Sequence, residues 1–355
     1  MLEMANPTPI QRINELEERR IKLDKKDIRI ISVLLRNSRT PYTEMAKGVM
    51  LSKDAVKYRI SKLQQEGLIL AFYPQVDYSM LGYEEFVIKL LLDESEKENQ
   101  TKLFETLMAH PNVTRIVEFS DRWDVEVSVL ARSIKEFDKI DVELSKDFNS
   151  VIRQKEKNPV VKKYLRDCCP PEFNLDRSYI EQLKGMPYLD KPNVKVDSKD
   201  RQILKYLAKN CRSSTYELQQ HVKLSADAIG LRVKRMLKSG LIEKFTIALN
   251  FSLLNYHLYS FEADLCSLDP KSEKNLVDFA VTHPYIQSAK KTLGYLDVVI
   301  EVMCRSPKHL HITIEGLKKH FSTVIRDYET LIAFHEHYFN PFPDALIEAQ
   351  QSLKG

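Results

Sequence analysis

Leu51-Ser-Lys-Asp-Ala-Val-Lys-Tyr-Arg-Ile-Ser-Lys-Leu-Gln-Gln-Glu-Gly-Leu-Ile69 returns later in the chain as Leu224-Ser-Ala-Asp-Ala-Ile-Gly-Leu-Arg-Val-Lys-Arg-Met-Leu-Lys-Ser-Gly-Leu-Ile242. Eight of the 19 positions are identical, at an offset of 224 − 51 = 173. The same offset carries Asp24 and Asp27 onto Asp197 and Asp200, and Leu81-Gly-Tyr83 onto Leu254-Asn-Tyr256. It carries His110-Pro111 onto His283-Pro284, Asp124 onto Asp297, and Val151-Ile-Arg153 onto Val324-Ile-Arg326. One ungapped register means that a whole folding unit was duplicated. The unit runs over about 22–165 and again over about 195–338.

The quoted stretch reads as a helix. Ser52 is a good N-cap, and Val56, Ile60 and Leu63 form one inward stripe. Lys53, Asp54, Lys57, Tyr58 and Ser61 then face outward, with Lys62 beside them, and Gly67 closes the helix. Upstream, Asp24 and Asp27 mark the start of a helix with Ile28, Ile31, Leu34 and Leu35 at helical spacing. A short second helix fits Thr43 to Gly48, and Leu68 to Val76 reads as the strands of a wing. Three helices with a short turn before the third suit a helix-turn-helix, whose third helix fills the DNA major groove.

The rest of each unit alternates differently. Strands are expected at Phe86–Leu92, Val113–Ser120, Val125–Ala131 and Val151–Val161, with helices at Glu96–His110 and Ser133–Asp147. That order is βαββαβ, the ferredoxin-like motif. The expected class is α+β, with winged helix-turn-helix domains at 22–78 and 195–251 and ferredoxin-like domains at 82–165 and 255–338. A linker at 166–194 holds Cys168-Cys169-Pro170-Pro171, Pro187 and Pro192, with a short helix expected over Asp176 to Lys184. Ile10 to Arg20 is helix-favouring and is expected to pack on the first unit.

Composition narrows the function classes. Length suggests two or three domains at about 150 residues each, and 43% hydrophobic with 29% charged residues is ordinary for a soluble globular protein. A net charge of +4 neither demands nor excludes nucleic acid, because basic surface can be local. Gly is scarce, at 9 residues, and no Gly-rich phosphate loop is present. Five Cys read as reduced thiols, the start lacks an apolar signal segment, and no apolar run is long enough to span a bilayer, so the expected location is cytoplasmic.

These patterns together resemble the Lrp/AsnC, or feast/famine, family of prokaryotic regulators. The resemblance rests on "L-D-x-x-D-x-x-I-I-x-x-L" (Leu23 to Leu34), "L-S-x-x-x-V-x-x-R-I-x-x-L-x-x-x-G-x-I" (Leu51 to Ile69), the Leu81-Gly-Tyr83 before the first α/β strand, and the "G-x-x-D" turn at Gly294-Tyr-Leu-Asp297. It covers both copies. It implies DNA-binding helix-turn-helix domains and α/β domains of the RAM type, which pair and sense small molecules, commonly amino acids. One chain with two units then looks like a covalent pseudo-dimer able to associate further. The DNA-binding set expected is Ser52, Lys53, Asp54, Lys57, Tyr58, Ser61 and Lys62, with Ser225, Asp227, Leu231, Arg232, Lys234 and Arg235. Arg59 and Arg232 are as readily structural as phosphate ligands. Effector contacts are expected at Gly294, Tyr295 and Asp297, in preference to Asp121, Trp123 and Asp124 on the first copy's turn.

The copies also differ from each other. Asp121 stands where the second copy has Gly294, and a Gly there would permit positive φ and close ligand approach. Gly230 and Ala226 stand where the first copy has Lys57 and Lys53. An enzyme is the rival reading. Sirohaem decarboxylases share this architecture but carry His on the hairpin, where this chain reads Trp123-Asp-Val-Glu-Val and Leu296-Asp-Val-Val-Ile. A third reading is an assembly or effector subunit that does not bind DNA. His309-Ile-His311 and His335-Glu-His337 have a spacing that puts two rings on one face of a strand. No Cys or carboxylate set at metal spacing accompanies either pair, so no metal or other cofactor is expected.

Overall fold

The computed structural model describes residues 10–165, 170–173 and 195–348. The expected helix at Asp176 to Lys184 and the Cys168-Cys169 pair lie outside them. The first unit builds α1 (Lys25–Arg36), α2 (Tyr42–Val49), α3 (Lys53–Gln65) and β1 (Ile69–Val76). Then come β2 (Glu84–Leu92), α4 (Lys97–Ala109), β3 (Val113–Phe119), β4 (Val125–Ala131), α5 (Ile134–Ser145) and β5 (Ile152–Leu165). The second unit repeats this as α6 (Ser198–Lys209), α7 (Thr215–Val222), α8 (Ala226–Ser239) and β6 (Ile242–Leu249). It continues with β7 (His257–Leu265), α9 (Pro270–Thr282), β8 (Ile286–Thr292), β9 (Val298–Cys304), α10 (Pro307–Phe321) and β10 (Ile325–Phe339).

Both α/β halves have the ferredoxin-like strand order, β5-β2-β4-β3 and β10-β7-β9-β8. They do not merely stack. β3 pairs antiparallel with β10 and β5 with β8, so the two sheets close into one eight-stranded barrel. Each half keeps its own apolar core between sheet and helices, around Phe86, Val127 and Phe137 in the first and Phe261, Ile300 and Leu317 in the second. The opposite sheet faces enclose the barrel interior.

The expected wing takes another form. Residues 69–76 make one strand, and it pairs across the copies with β6, Phe72 opposite Ile247 and Tyr73 opposite Thr246. A strand whose partner comes from the other unit has no need of a local hairpin. This pairing fuses the two helix-turn-helix domains over a single core containing Ile30, Leu34 and Val56 with Ile203, Leu207 and Ile229. Beside it, equivalent residues meet. Ser38 Oγ lies 3.0 Å from Cys211 Sγ, Arg39 donates to the Cys211 carbonyl at 2.6 Å, and Arg212 returns the bond to the Ser38 carbonyl. Burial pushes the Cys211 thiol up to about 11, which keeps it protonated and unreactive. Because 38 + 173 = 211, a pseudo-twofold axis passes through this contact.

The N-terminal segment departs from expectation in both conformation and partner. It is extended, not helical, and it packs on the second unit. Ile13 is buried, Asn14 bridges to His335, Glu336 N donates to the Ile13 carbonyl, and Phe251 N donates to the Arg12 carbonyl. The segment continues the edge of β10 beyond the residues that β7 covers. Its backbone groups are satisfied there without a helix.

Candidate nucleic-acid interface and barrel interior

The third helices are built alike. Ser52 accepts from Ala55 N at 3.1 Å and Ser225 from Ala228 N at 3.2 Å, the N-caps expected from sequence. Gly67 and Gly240 follow with φ of 77° and 81°, the left-handed conformation that ends a helix. Arg59 Nη1 sits 2.7 Å from both Asp24 and Asp27, and Arg232 Nη1 sits 2.7 and 2.9 Å from Asp197 and Asp200. Each Arg therefore braces its recognition helix to the first helix of the same copy. That assigns Arg232 a structural role, and Arg235 also contacts Asp200. The spacing of Asp24, Asp27 and Arg59, repeated 173 residues on, was the signal for this brace.

The outward faces differ sharply. Lys53, Asp54, Lys57, Tyr58 and Lys62 are exposed and Ser61 is half-buried on α3; Asp227, Leu231, Lys234 and Arg235 are exposed on α8. Tyr58 and its counterpart Leu231 are each 69% exposed at the same outward position of the two helices. Gly230 has nothing within van der Waals range of its missing Cβ but the Thr215 methyl at 3.9 Å, so packing does not require glycine there.

The expected effector residues build turns. Asp297 accepts from Leu265 N at 2.8 Å and Asp124 from Leu92 N at 2.6 Å, each clamping its hairpin to the first strand of the same half. Trp123 is 1% exposed, so it presents no face for stacking. Gly294 does not take a positive φ. Its bareness serves close approach instead, because a Cβ there would lie 1.9 Å from Asn158 Oδ1. The counterpart Asp121 accepts from Ile332 N at 2.7 Å, so both turns dock on the last strand of the other half, by different chemistry. Tyr295 is exposed and lies under the Arg122 guanidinium, 5.5 Å away.

Sequence reading missed the barrel interior. Lys89 and Glu262 are equivalent residues, since 89 + 173 = 262, and they form an ion pair across the lumen on the pseudo-twofold axis. Arg115 pairs with Glu301 and Glu336, Lys290 with Glu126, Lys163 with Glu85, and Arg12 with Glu336. Five cations thus meet five carboxylates. Burial alone would raise the Glu301 carboxyl, but Arg115 and Lys290 outweigh it and hold it at about 2. Glu336 is likewise held low by Arg12 and Arg115 against its burial. Burial wins at Glu262 and pushes its carboxyl up despite Lys89. A cavity of about 130 Å³ opens among these groups, lined in part by Arg12, Tyr78, Arg115, Lys163, Lys290 and Glu301. The alternating apolar pattern of β2 and β4 hid these charges, because a charged residue on an alternate position reads as solvent-facing.

Two helix-turn-helix domains, joined by a shared core and carried on a closed α/β barrel, define a two-headed protein of the kind that grips duplex DNA. Residues 23–64 match the AsnC-type helix-turn-helix domain and residues 196–243 match a winged helix-turn-helix DNA-binding domain. The transcriptional regulator Rv2324 of Mycobacterium tuberculosis is 29% identical over 124 residues, 35% of this chain and 83% of that protein. The regulatory protein AsnC of Haemophilus influenzae is 27% identical over 114 residues, 32% of this chain and 75% of that protein. An alignment that nearly exhausts the relative but covers a third of this chain is what a single-unit protein gives against a duplicated one. The chain thus carries two helix-turn-helix domains, the first of AsnC type, and is similar to transcriptional regulators of the AsnC/Lrp kind. Over the full length its fold is similar to that of the sirohaem decarboxylase NirDL, with a TM-score of 0.59 at 10% identity over 93% of this chain and 100% of that one. Among the described residues no helix is long and apolar enough to cross a membrane.

Proposed function

We propose that this chain is a sequence-specific, DNA-binding transcription regulator whose single polypeptide supplies two unlike DNA readers. The observation that carries this reading is the pair of exposed third helices, each capped by Ser and braced by an Arg–Asp–Asp cluster, on domains that match known DNA-binding families. The first reader offers Lys53, Lys57 and Tyr58 to base edges, with Lys62 at the phosphates. The second offers Asp227 and Leu231 to base edges, with Lys234 at the phosphates. Lysine donates to guanine, whereas Leu231 suits only an apolar contact such as a thymine methyl. The natural operator is therefore asymmetric. Selection of bound sites from random DNA, followed by mobility shift at rising salt, tests this. Affinity should fall steeply with salt as counterions are released. Equal retention of random and selected DNA would defeat the proposal.

The full-length likeness to NirDL motivates a second reading, an enzyme acting on a tetrapyrrole. Two features favour the regulator. The hairpins carry no His, and the cavity inside the barrel, about 130 Å³, is smaller than the roughly 300–1,000 Å³ of ordinary ligand pockets, while the larger hollow of about 510 Å³ beside Asp278, Phe279 and His320 is an open surface groove. Absorbance of the purified chain after adding a tetrapyrrole separates the two. A bound-state spectrum at stoichiometric ligand would favour the enzyme. At Asp297 and Asp124 the geometry favours strand clamping over an amino-acid site, because one oxygen of each carboxylate accepts from a backbone N–H. Calorimetry with an amino-acid panel should therefore show no binding that Asp297→Ala removes.

A further inference from the structure

β10 of the second half and β3 of the first meet at one of the two seams that close the barrel. On that seam His335 lies directly opposite Glu118. His337, two residues on, shares its face of the strand, and the two imidazoles stack with centroids 4.3 Å apart. One potential ligand atom from each of Glu118, His335 and His337 lies within 4.8 Å of the others. His337 Nε2 is 2.7 Å from Glu118 Oε2, which a simple ion pair would explain. It would not explain His335, whose Nε2 is buried with no hydrogen-bond partner. A buried imidazole nitrogen left unpaired is costly. The site is neither sealed nor open, with the side chains of His337 and Glu118 22% and 37% exposed.

The pseudo-twofold axis supplies a control within the molecule. At the other seam, Lys162, Tyr164 and Lys291 occupy the places of His335, His337 and Glu118. There Lys162 and Tyr164 both bond Glu273 of α9, at 3.0 and 2.8 Å, and their donors are satisfied. One seam is thus closed by an ordinary ion pair. Its counterpart carries two imidazoles and a carboxylate with an idle nitrogen.

We propose that Glu118, His335 and His337 bind a divalent transition-metal ion of the zinc type, which staples the first α/β half to the second. Two imidazoles and one carboxylate suit such an ion, leaving a fourth position for water. Donors about 2.0–2.1 Å from a tetrahedral ion stand roughly 3.3 Å apart. The three donors, already within 4.8 Å of one another, would have to contract modestly to reach that spacing.

The test uses the full chain stripped with a chelator and titrated calorimetrically with zinc alone. One ion per chain is expected, with a rise in melting temperature. Cobalt(II) should give the visible bands of a low-coordinate site. His335→Gln and His337→Gln should each weaken zinc by more than about 100-fold, beyond the effect expected of an outer-shell change. His311→Gln, on α10, should leave it unchanged. Because a ligand variant can lose binding by misfolding, the converse variant is made too. Lys162→His, Tyr164→His and Lys291→Glu together should install a second ion at the other seam. Absence of zinc binding, or binding that survives His335→Gln and His337→Gln, would overturn the proposal.

Discussion

Residue 89 is lysine and its counterpart 262 is glutamate; on either side of the axis the backbone is the same and the charge is opposite. A residue on a true twofold axis faces its own copy. Were the first α/β half to pair with another first half, Lys89 would face Lys89. Two second halves would set Glu262 against Glu262. Only unlike halves put a cation beside an anion. Arg115 and Glu301, and Lys290 and Glu126, repeat this logic, since Ser288 and Ser128, and Val117 and Val299, stand at the matching places. Burial raises the Glu262 carboxyl even so, which marks the pair as a poor source of stability. The comparison teaches that its value is in register and partner choice, a known use of buried polar groups.

Breaking that pair should give the largest effect. Lys89→Glu places two carboxylates in a closed lumen and should cost about 3–5 kcal/mol by urea denaturation. Lys89→Glu with Glu262→Lys should recover most of the loss. If the double variant is no better than the single one, the two residues do not read each other.

The recognition helices sharpen the comparison next. Lys57→Ala should cost about 1–3 kcal/mol on the selected site and relax preference at one base position. Lys234→Ala should weaken all sequences alike and reduce the salt slope by about 1. Fluorescence anisotropy across a salt series reads both. Matching losses from the two variants at the same bases would mean that the copies read alike.

The half-buried histidines His110 and His283 differ in their neighbours. Burial lowers both, His283 to about 4, but His110 has Glu143 at 3.5 Å, whereas Gly316 stands in the corresponding place. A histidine whose folded value is depressed costs stability as pH falls from its unfolded value of about 6.5, because only the unfolded chain takes up the proton. Between pH 6.5 and 4, stability should drop by roughly 1–2 kcal/mol on this account after allowance for solvent screening. Chemical denaturation of His283→Gln should show a flatter profile than that of His110→Gln.

The smallest effect belongs to Gly230, which stands where the first copy has Lys57. Gly230→Ala should stabilise the chain by up to about 1 kcal/mol, since helix propensity improves and the new methyl meets only ordinary contact. Differential scanning calorimetry would register it as a modest rise in melting temperature. A fall would mean that glycine is there for backbone reasons that its contacts do not reveal.

The repeat, the helix-turn-helix helices and the βαββαβ order were legible because each rests on local periodicity and caps. Ser52, Gly67 and the Asp24–Asp27 start all do what their spacing says. What lay hidden depends on contacts between copies. Nothing local in 69–76 says that its partner is 242–249 and not its own hairpin. Glu118 is 217 residues from His335, so a His-x-His pair without a neighbouring carboxylate looks empty until the seam is closed. The G-x-x-D turn, read as a ligand contact, also has structural tasks that its sequence did not announce, strand clamping by its Asp and close approach to Asn158 at its Gly.

The closed barrel also sets a timetable for making the protein. Within the barrel every strand has two neighbours, and among the described residues it offers no unpaired edge for another chain. The first half alone has two bare edges, β3 and β5, and a charged inner sheet face. At about 5–20 residues per second, the 173 residues to its counterpart take a ribosome roughly 10–35 s. Throughout that interval the nascent first half waits unclosed. Lys89 and Arg115, unpaired until their carboxylates emerge, make its inner face a poor template for another apolar sheet. The charges that later choose the correct partner therefore first serve to delay a wrong one.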